Sequence, residues 1–103
     1  MRDYRKLQAF QLANQLALAV YACTKEFPRE ELFGLTSQMR RAAVSIGSNI
    51  ALGSSLELEY QITLSSQLGY LHDPQEDNLK TLSTRTSKTL YGLIKTYRKS
   101  DHA

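Results

Sequence analysis

The chain has one cysteine, two prolines and no apolar run long enough to cross a bilayer. Cys23 has no second cysteine to pair with inside the chain, so nothing calls for an oxidising compartment. The apolar stretch Leu16–Cys23 is eight residues long, well below the roughly 20 that a spanning helix needs. No signal-type apolar core follows Met1–Lys6. These absences leave the cytoplasm as the default location and a membrane role unexpected.

Chemical constellations are scarce as well. The two histidines, His72 and His102, fall in a loop and at the C-terminal tail. Neither has a carboxylate or cysteine at metal-ligand spacing on a helix. Glu57 and Glu59 are two residues apart, which sends them to different sides of a helix, and no Glu-x-x-His pair accompanies them. Gly53-Ser54-Ser55 lacks the lysine and the preceding strand of a phosphate loop. No nucleophile, base and orienting group assemble, so the expectation is a non-enzyme with no cofactor and no metal.

What is present is helical pattern. With 103 residues the chain is one domain by length, and its 42% hydrophobic and 22% charged residues suit a folded globule. The prolines and five glycines leave room for long helices. A core of this size has little margin, and self-association would help it. From about residue 3 to 25, Leu7, Phe10, Ala13, Leu16, Ala17, Val20, Tyr21 and Thr24 recur at three- and four-residue steps, the helical period. Leu12, Ala19 and Cys23 widen that stripe, and Cys23 reads as a small core residue. Phe27-Pro28 stops the helix. A short connector to Gly34 follows, with room for one helical turn.

A second helix starts with Thr36 or Ser37 as its cap and carries Met39, Ala42 or Ala43, Ile46 and Ile50 as its apolar line. Gly47 within it costs about 1 kcal/mol against alanine, which implies a kink or a tight contact. Leu52–Ser55 reads as a turn or as continuing helix. Leu56, Tyr60, Leu64 and Leu68 then continue at four-residue steps, predicting a helix over about 54–69 with Gly69 as its C-terminal cap. Asp73 as the capping carboxylate, Pro74 at the first helical position and Glu76 at the third mark the start of the last helix. Leu79, Leu82, Thr86, Leu90, Leu93, Ile94 and Tyr97 form its stripe. Four amphipathic helices with short connections predict an all-α, antiparallel up-and-down four-helix bundle over residues 1–103.

Charge is segregated along this framework. Between Ala42 and Leu79 there is no lysine or arginine, whereas Lys80, Arg85, Lys88, Lys95, Arg98 and Lys99 follow with no acid among them. At 100° per residue these bases fall within roughly 140° of arc, opposite the apolar stripe. The pattern is either a solvated helix face, with cations favoured near the C-terminal end by the helix dipole, or a phosphate-binding ridge for RNA or DNA. No base-reading motif accompanies it. Arg40 and Arg41 are adjacent on the second helix and cannot both face a core. The expectation is that one of them pairs with an acid such as Glu57 or Glu59 across a helix or subunit boundary, with nucleic-acid contact the other reading.

Several of these stretches carry a family likeness. Val20-Tyr21, Thr24-Lys25, Phe27-Pro28, Phe33–Gln38, Arg40–Ile46 and Ser48–Ala51 resemble the four-helix-bundle family of 23S rRNA intervening-sequence proteins and the accessory variability proteins of diversity-generating retroelements. Leu52–Gln61, Leu68–Leu71 and Tyr91–Ile94 match its later part. The resemblance implies a bundle that assembles as a homopentamer and presents a basic surface to RNA or DNA, with a reverse transcriptase as a further partner in the retroelement members. It implies no catalytic site. Family members usually have proline where Gly47 stands, and they continue after Asn49-Ile50-Ala51 with a segment of roughly 18 residues that is absent here. Helix three is therefore expected to be short. Two readings follow: an oligomeric module binding structured RNA or a nucleoprotein, or a structural, protein-interaction bundle whose charges set subunit register.

Overall fold

The computed structural model describes residues 4–102, with side chains through residue 98. It contains α1 (Tyr4–Thr24), α2 (Leu35–Asn49), α3 (Leu52–Gln67) and α4 (Gln75–His102), with a 3-10 turn at Arg29–Glu31. Each helix packs on the next and α4 closes back on α1, while the diagonal pairs make no close approach. This is the expected antiparallel four-helix bundle, 50 Å long and 24 by 19 Å across. The predicted start of the first helix at Asp3 lies outside the described residues.

The core runs along the shared axis. Leu16 and Val20 of α1, Met39 and Ile46 of α2, Leu58 and Ile62 of α3, and Leu79, Leu90 and Leu93 of α4 are fully buried. Cys23 is buried among them. Burial, and secondarily the charge of Glu26, raises its thiol above the ordinary pKa. The stripe of α1 is rotated from the predicted one: Ala9, Leu12 and Ala13 face in, whereas Leu7, Phe10 and Tyr21 are exposed. Among the described residues only α2 and α4 pack on α1, and its apolar arc is wider than two neighbours can cover.

Local signals explain most element ends. α1 gives way to a turn in which the Glu26 and Phe27 amides donate to the Cys23 and Thr24 carbonyls, just before Pro28. The cap of α2 is Gly34, not Thr36 or Ser37, and no side chain caps it. The Gly34 amide already donates to Glu31 and the Gln38 amide to Gly34, each at 3.0 Å. The helical ladder thus begins before Thr36, which lies buried inside the helix. Gly69 is the expected cap of α3, at φ +80°. Its amide donates to Ser66 and the Tyr70 amide to Ser65, the paired bonds of a Schellman ending. Asp73 makes no side-chain hydrogen bond, contrary to its predicted capping role. Glu76 instead accepts from the Ser66 hydroxyl and pairs with Lys80, so the carboxylate fastens α4 to the end of α3.

The α2–α3 junction departs most from expectation. The chain turns within Ile50, left-handed at φ 50°, and the extended Ala51. Leu52–Ser55 is helix, not turn. This register buries Ser55, Leu58, Gln61, Ile62 and Ser65, while Leu56 is 52% exposed and Tyr60 66%. The four-residue line of Leu56, Tyr60, Leu64 and Leu68 therefore runs along the outside, with Leu64 half-buried and Leu68 exposed. Small polar groups satisfy each other beneath it. Ser55 and Ser87 share a hydrogen bond of 2.7 Å between α3 and α4, and Ser65 donates to the Gln61 carbonyl at 2.8 Å. With 16 residues, α3 is well short of the 28 of α4.

Gly47 produces no break in α2, and a methyl group added there would meet the Ala13 Cβ at 3.8 Å, an ordinary contact. Gly47→Ala should therefore raise unfolding free energy by about 1 kcal/mol, measured by urea denaturation. For α3, Leu58→Ala should cost about 3 kcal/mol. Leu56→Ala should cost less than about 0.5 in solution dilute enough to keep copies apart, and equal losses would contradict the observed face.

Candidate nucleic-acid interface

Burial of Leu79, Leu82, Thr86, Leu90 and Leu93 orients α4 and turns its opposite side outward. Arg85, Lys88, Lys95 and Arg98 are all exposed there, and among the described residues no carboxylate or hydrogen-bond acceptor engages them. The side chain of Lys99 lies outside the described residues. Lys80 differs from the other four. Its Nζ is 3.0 Å from Glu76, and it borders a crevice of about 220 Å³ between α3 and α4 that also contains Glu59 and the Ser83 side chain. The bond from Ser66, with that from Lys80, holds the Glu76 carboxyl below its ordinary pKa. Lys80 thus has its charge matched locally. The continuous stretch of unpaired bases is Arg85 to Arg98, about 20 Å along the helix.

The arginine pair of α2 separates in function. Arg40 is half-buried and donates from Nε to the Thr24 hydroxyl at 2.9 Å. That hydroxyl in turn donates to the Val20 carbonyl at 2.8 Å. The Arg40 guanidinium lies 4.8 Å from the centre of the Tyr21 ring, a cation–π contact. Arg40 thus joins α2 to the last turns of α1. Arg41 points to solvent. Neither arginine is within ion-pairing distance of Glu57 or Glu59 inside the chain. Glu57 is exposed and accepts from the Gln61 amide at 3.2 Å, and Glu59 is half-buried.

The connector between α1 and α2 brings Arg40 and Arg41 together with Lys25, Arg29 and Phe33, for which the sequence pattern suggested no binding role. Lys25, Arg29 and Arg40 border a concavity of about 440 Å³. A second, of about 510 Å³, joins Phe33 to Arg40 and Arg41. The connector is pinned from below, where the Tyr70 hydroxyl donates to Glu31 at 3.0 Å and its ring packs 5.3 Å from that of Phe27. That hydrogen bond, ahead of desolvation and nearby acidic charge, raises the Tyr70 pKa. Interleaved Glu26, Glu30 and Glu31 hide the basic cluster in the linear sequence. An aromatic beside glycine in a polar connector was the available signal. Among the described residues, no group of three or more His, Cys, Asp or Glu side chains could hold a metal. Nor is any helix long and apolar enough to cross a membrane.

The family of 23S rRNA-intervening sequence proteins matches residues 5–56. The chain belongs to that family. No curated protein matches the chain significantly. The match to the 23S rRNA-intervening sequence proteins covers α1, the connector, α2 and the first turn of α3. It contains Arg40, Arg41 and the basic connector, and it leaves Glu57, Glu59 and the α4 bases outside. The family-matched half of the chain is thus the α1–α2 hairpin that Arg40 holds together.

Because Arg40 ties α2 to α1 through Thr24 and Tyr21, Arg40→Ala should lower stability by about 1–2 kcal/mol in urea denaturation. Native mass should be unchanged. A loss of mass would place Arg40 between subunits instead.

Proposed function

We propose that this chain is a non-catalytic bundle protein that binds structured RNA, or a nucleoprotein containing it, through the outward face of α4. The observation that carries this reading is the unpaired, exposed series Arg85, Lys88, Lys95 and Arg98 on one side of one helix. A row of fixed cations attracts a polyanion by displacing its counterions, and it does so without reading sequence. Membership of the 23S rRNA-intervening sequence family supports an RNA context for that charge.

The same reading has copies of the chain associate, which multiplies the charge presented to one ligand. Support comes from α3, whose Leu56, Tyr60 and Leu68 are exposed beside Glu57 and Glu59. Exposed apolar side chains rimmed by charge are the usual make-up of a contact surface. Arg41 of one copy is the cation suited to Glu57 or Glu59 of another. A purely structural bundle is the second reading, favoured by this same apolar line if it is the molecule's only contact surface.

Binding to a structured RNA should weaken steeply with salt. The slope of log K against log salt should be near −3 for the four bases of one copy, at roughly −0.7 to −0.9 per neutralised phosphate. Replacing Lys88, Lys95 and Arg98 with glutamate should abolish binding while leaving helicity and native mass unchanged. A flat salt dependence would sink the RNA reading, and a fall in mass in the triple variant would make the α4 face a subunit contact.

A further inference from the structure

We propose that the connector between α1 and α2 is a seat for one unpaired nucleotide. Phe33 serves as the stacking platform for the base, and Lys25, Arg29 and Arg40 clamp the adjoining phosphate. The proposal rests on the reading that the protein binds RNA, and adds which part of an RNA the second surface takes.

The exposure of Phe33 is the first observation. Its ring is 92% exposed, yet the backbone on both sides is fixed, by Leu32 donating to Arg29 at 3.1 Å and Gly34 to Glu31 at 3.0 Å. The ring is offered from an ordered turn rather than from a loose loop. An aromatic face held out this way can stack on any base, because every base has a π-face. It needs a base whose own face is free. That condition excludes the interior of a duplex and selects a loop, bulge or end.

The second observation is the charge immediately beside it. The concavity holding Lys25, Arg29 and Arg40 has no carboxylate in its lining. Lys25 and Arg29 are exposed and without partners, while the bonds of Arg40 to Thr24 and Tyr21 set its plane before any ligand arrives. Thr36 borders this concavity and the one containing Phe33. The residue is only 3% exposed. It lies in the first turn of α2, whose amides no side chain caps. Uncapped amides at a helix start favour an anion. The base platform and the phosphate pocket therefore meet at Arg40 and Thr36, as the adjoining parts of one nucleotide require.

Charge also argues against the simplest protein occupant. A second copy docked symmetrically on this patch would set Lys25, Arg29 and Arg40 against the same three cations. A polyanion meets them without that cost.

The test uses the full chain and fluorescence anisotropy with two labelled RNAs: a single strand of about twelve nucleotides and a blunt hairpin with a minimal loop. Phe33→Ala should weaken the single strand about tenfold and the hairpin less than about twofold, with the salt slope unchanged. The double variant Lys25→Gln with Arg29→Gln should lower the single-strand slope by about one to two. Equal single-strand affinity in wild type and Phe33→Ala, alongside loss of binding in the α4 triple variant, overturns the seat and leaves the α4 reading standing. No RNA binding by the wild type overturns both. A fall in native mass for Phe33→Ala shows that another copy covers the ring, which also overturns the seat. Phe33 packs on no core residue, so unchanged helicity in the variant separates these outcomes from misfolding.

Discussion

The constraint on which most of this bundle depends is the reversal between α2 and α3. Ile50 takes a left-handed conformation and Ala51 an extended one, and the next residue is already helical. A β-branched residue at positive φ is sterically costly, and half-burial of Ile50 against the core helps to offset that cost. So short a link fixes both the depth at which α3 packs and its rotation about its own axis. Ser45 then lies opposite Ser54, with their hydroxyls 3.0 Å apart, and Met39 opposite Ser65. Once that register is set, the inward residues of α3 are Ser55, Leu58, Gln61, Ile62 and Ser65. The outward line of Leu56, Tyr60 and Leu68 follows from the same rotation.

This arrangement gives α3 an unusual pair of faces. Its buried side mixes two large apolar groups with serines that bond to Ser87 or to a backbone carbonyl and with Gln61, whose buried Oε1 has no partner among the described residues. Its outer side carries apolar bulk next to acids. A surface of that kind is stable in water only at some cost and gains by being covered, which ties the two-residue reversal to the proposed association of copies. The other end of the bundle is organised differently. There Arg40 links α2 to Thr24 and Tyr21 of α1, Tyr70 ties the α3–α4 loop to Glu31 of the connector, and Glu76 ties α4 to Ser66 of α3. The aromatic and basic residues of the connector are displayed on that fastened end.

Helix content, the number of helices and the glycine stop at Gly69 were legible from the chain, because periodicity and backbone freedom are local properties. The α4 bases were legible for the same reason, since a regular helix converts spacing directly into angle. The exposure of the α3 line is not legible in the same way, because its four-residue spacing suits a helix face without saying which neighbour that face meets. Within the chain, the partners of Arg40 are a threonine hydroxyl and a tyrosine ring that lie 16 and 19 residues away, and nothing in linear spacing joins them. Lys25, Arg29 and Phe33 were passed over because neighbouring glutamates cancel the local charge on paper, while folding turns those glutamates away from the concavity.

By itself the sequence determined the all-α class, the order of the helices and the outward basic face of α4, since each depends on the rise and turn of one helix. Tertiary structure alone decided three things. It chose the buried face of α3, it made Arg40 a fastening between α1 and α2, and it gathered Phe33 with three cations at the connector. Each of these depends on the rotation of one helix relative to another. That rotation is set by packing across the bundle and by a reversal of two residues, and periodicity within a single helix carries no record of it.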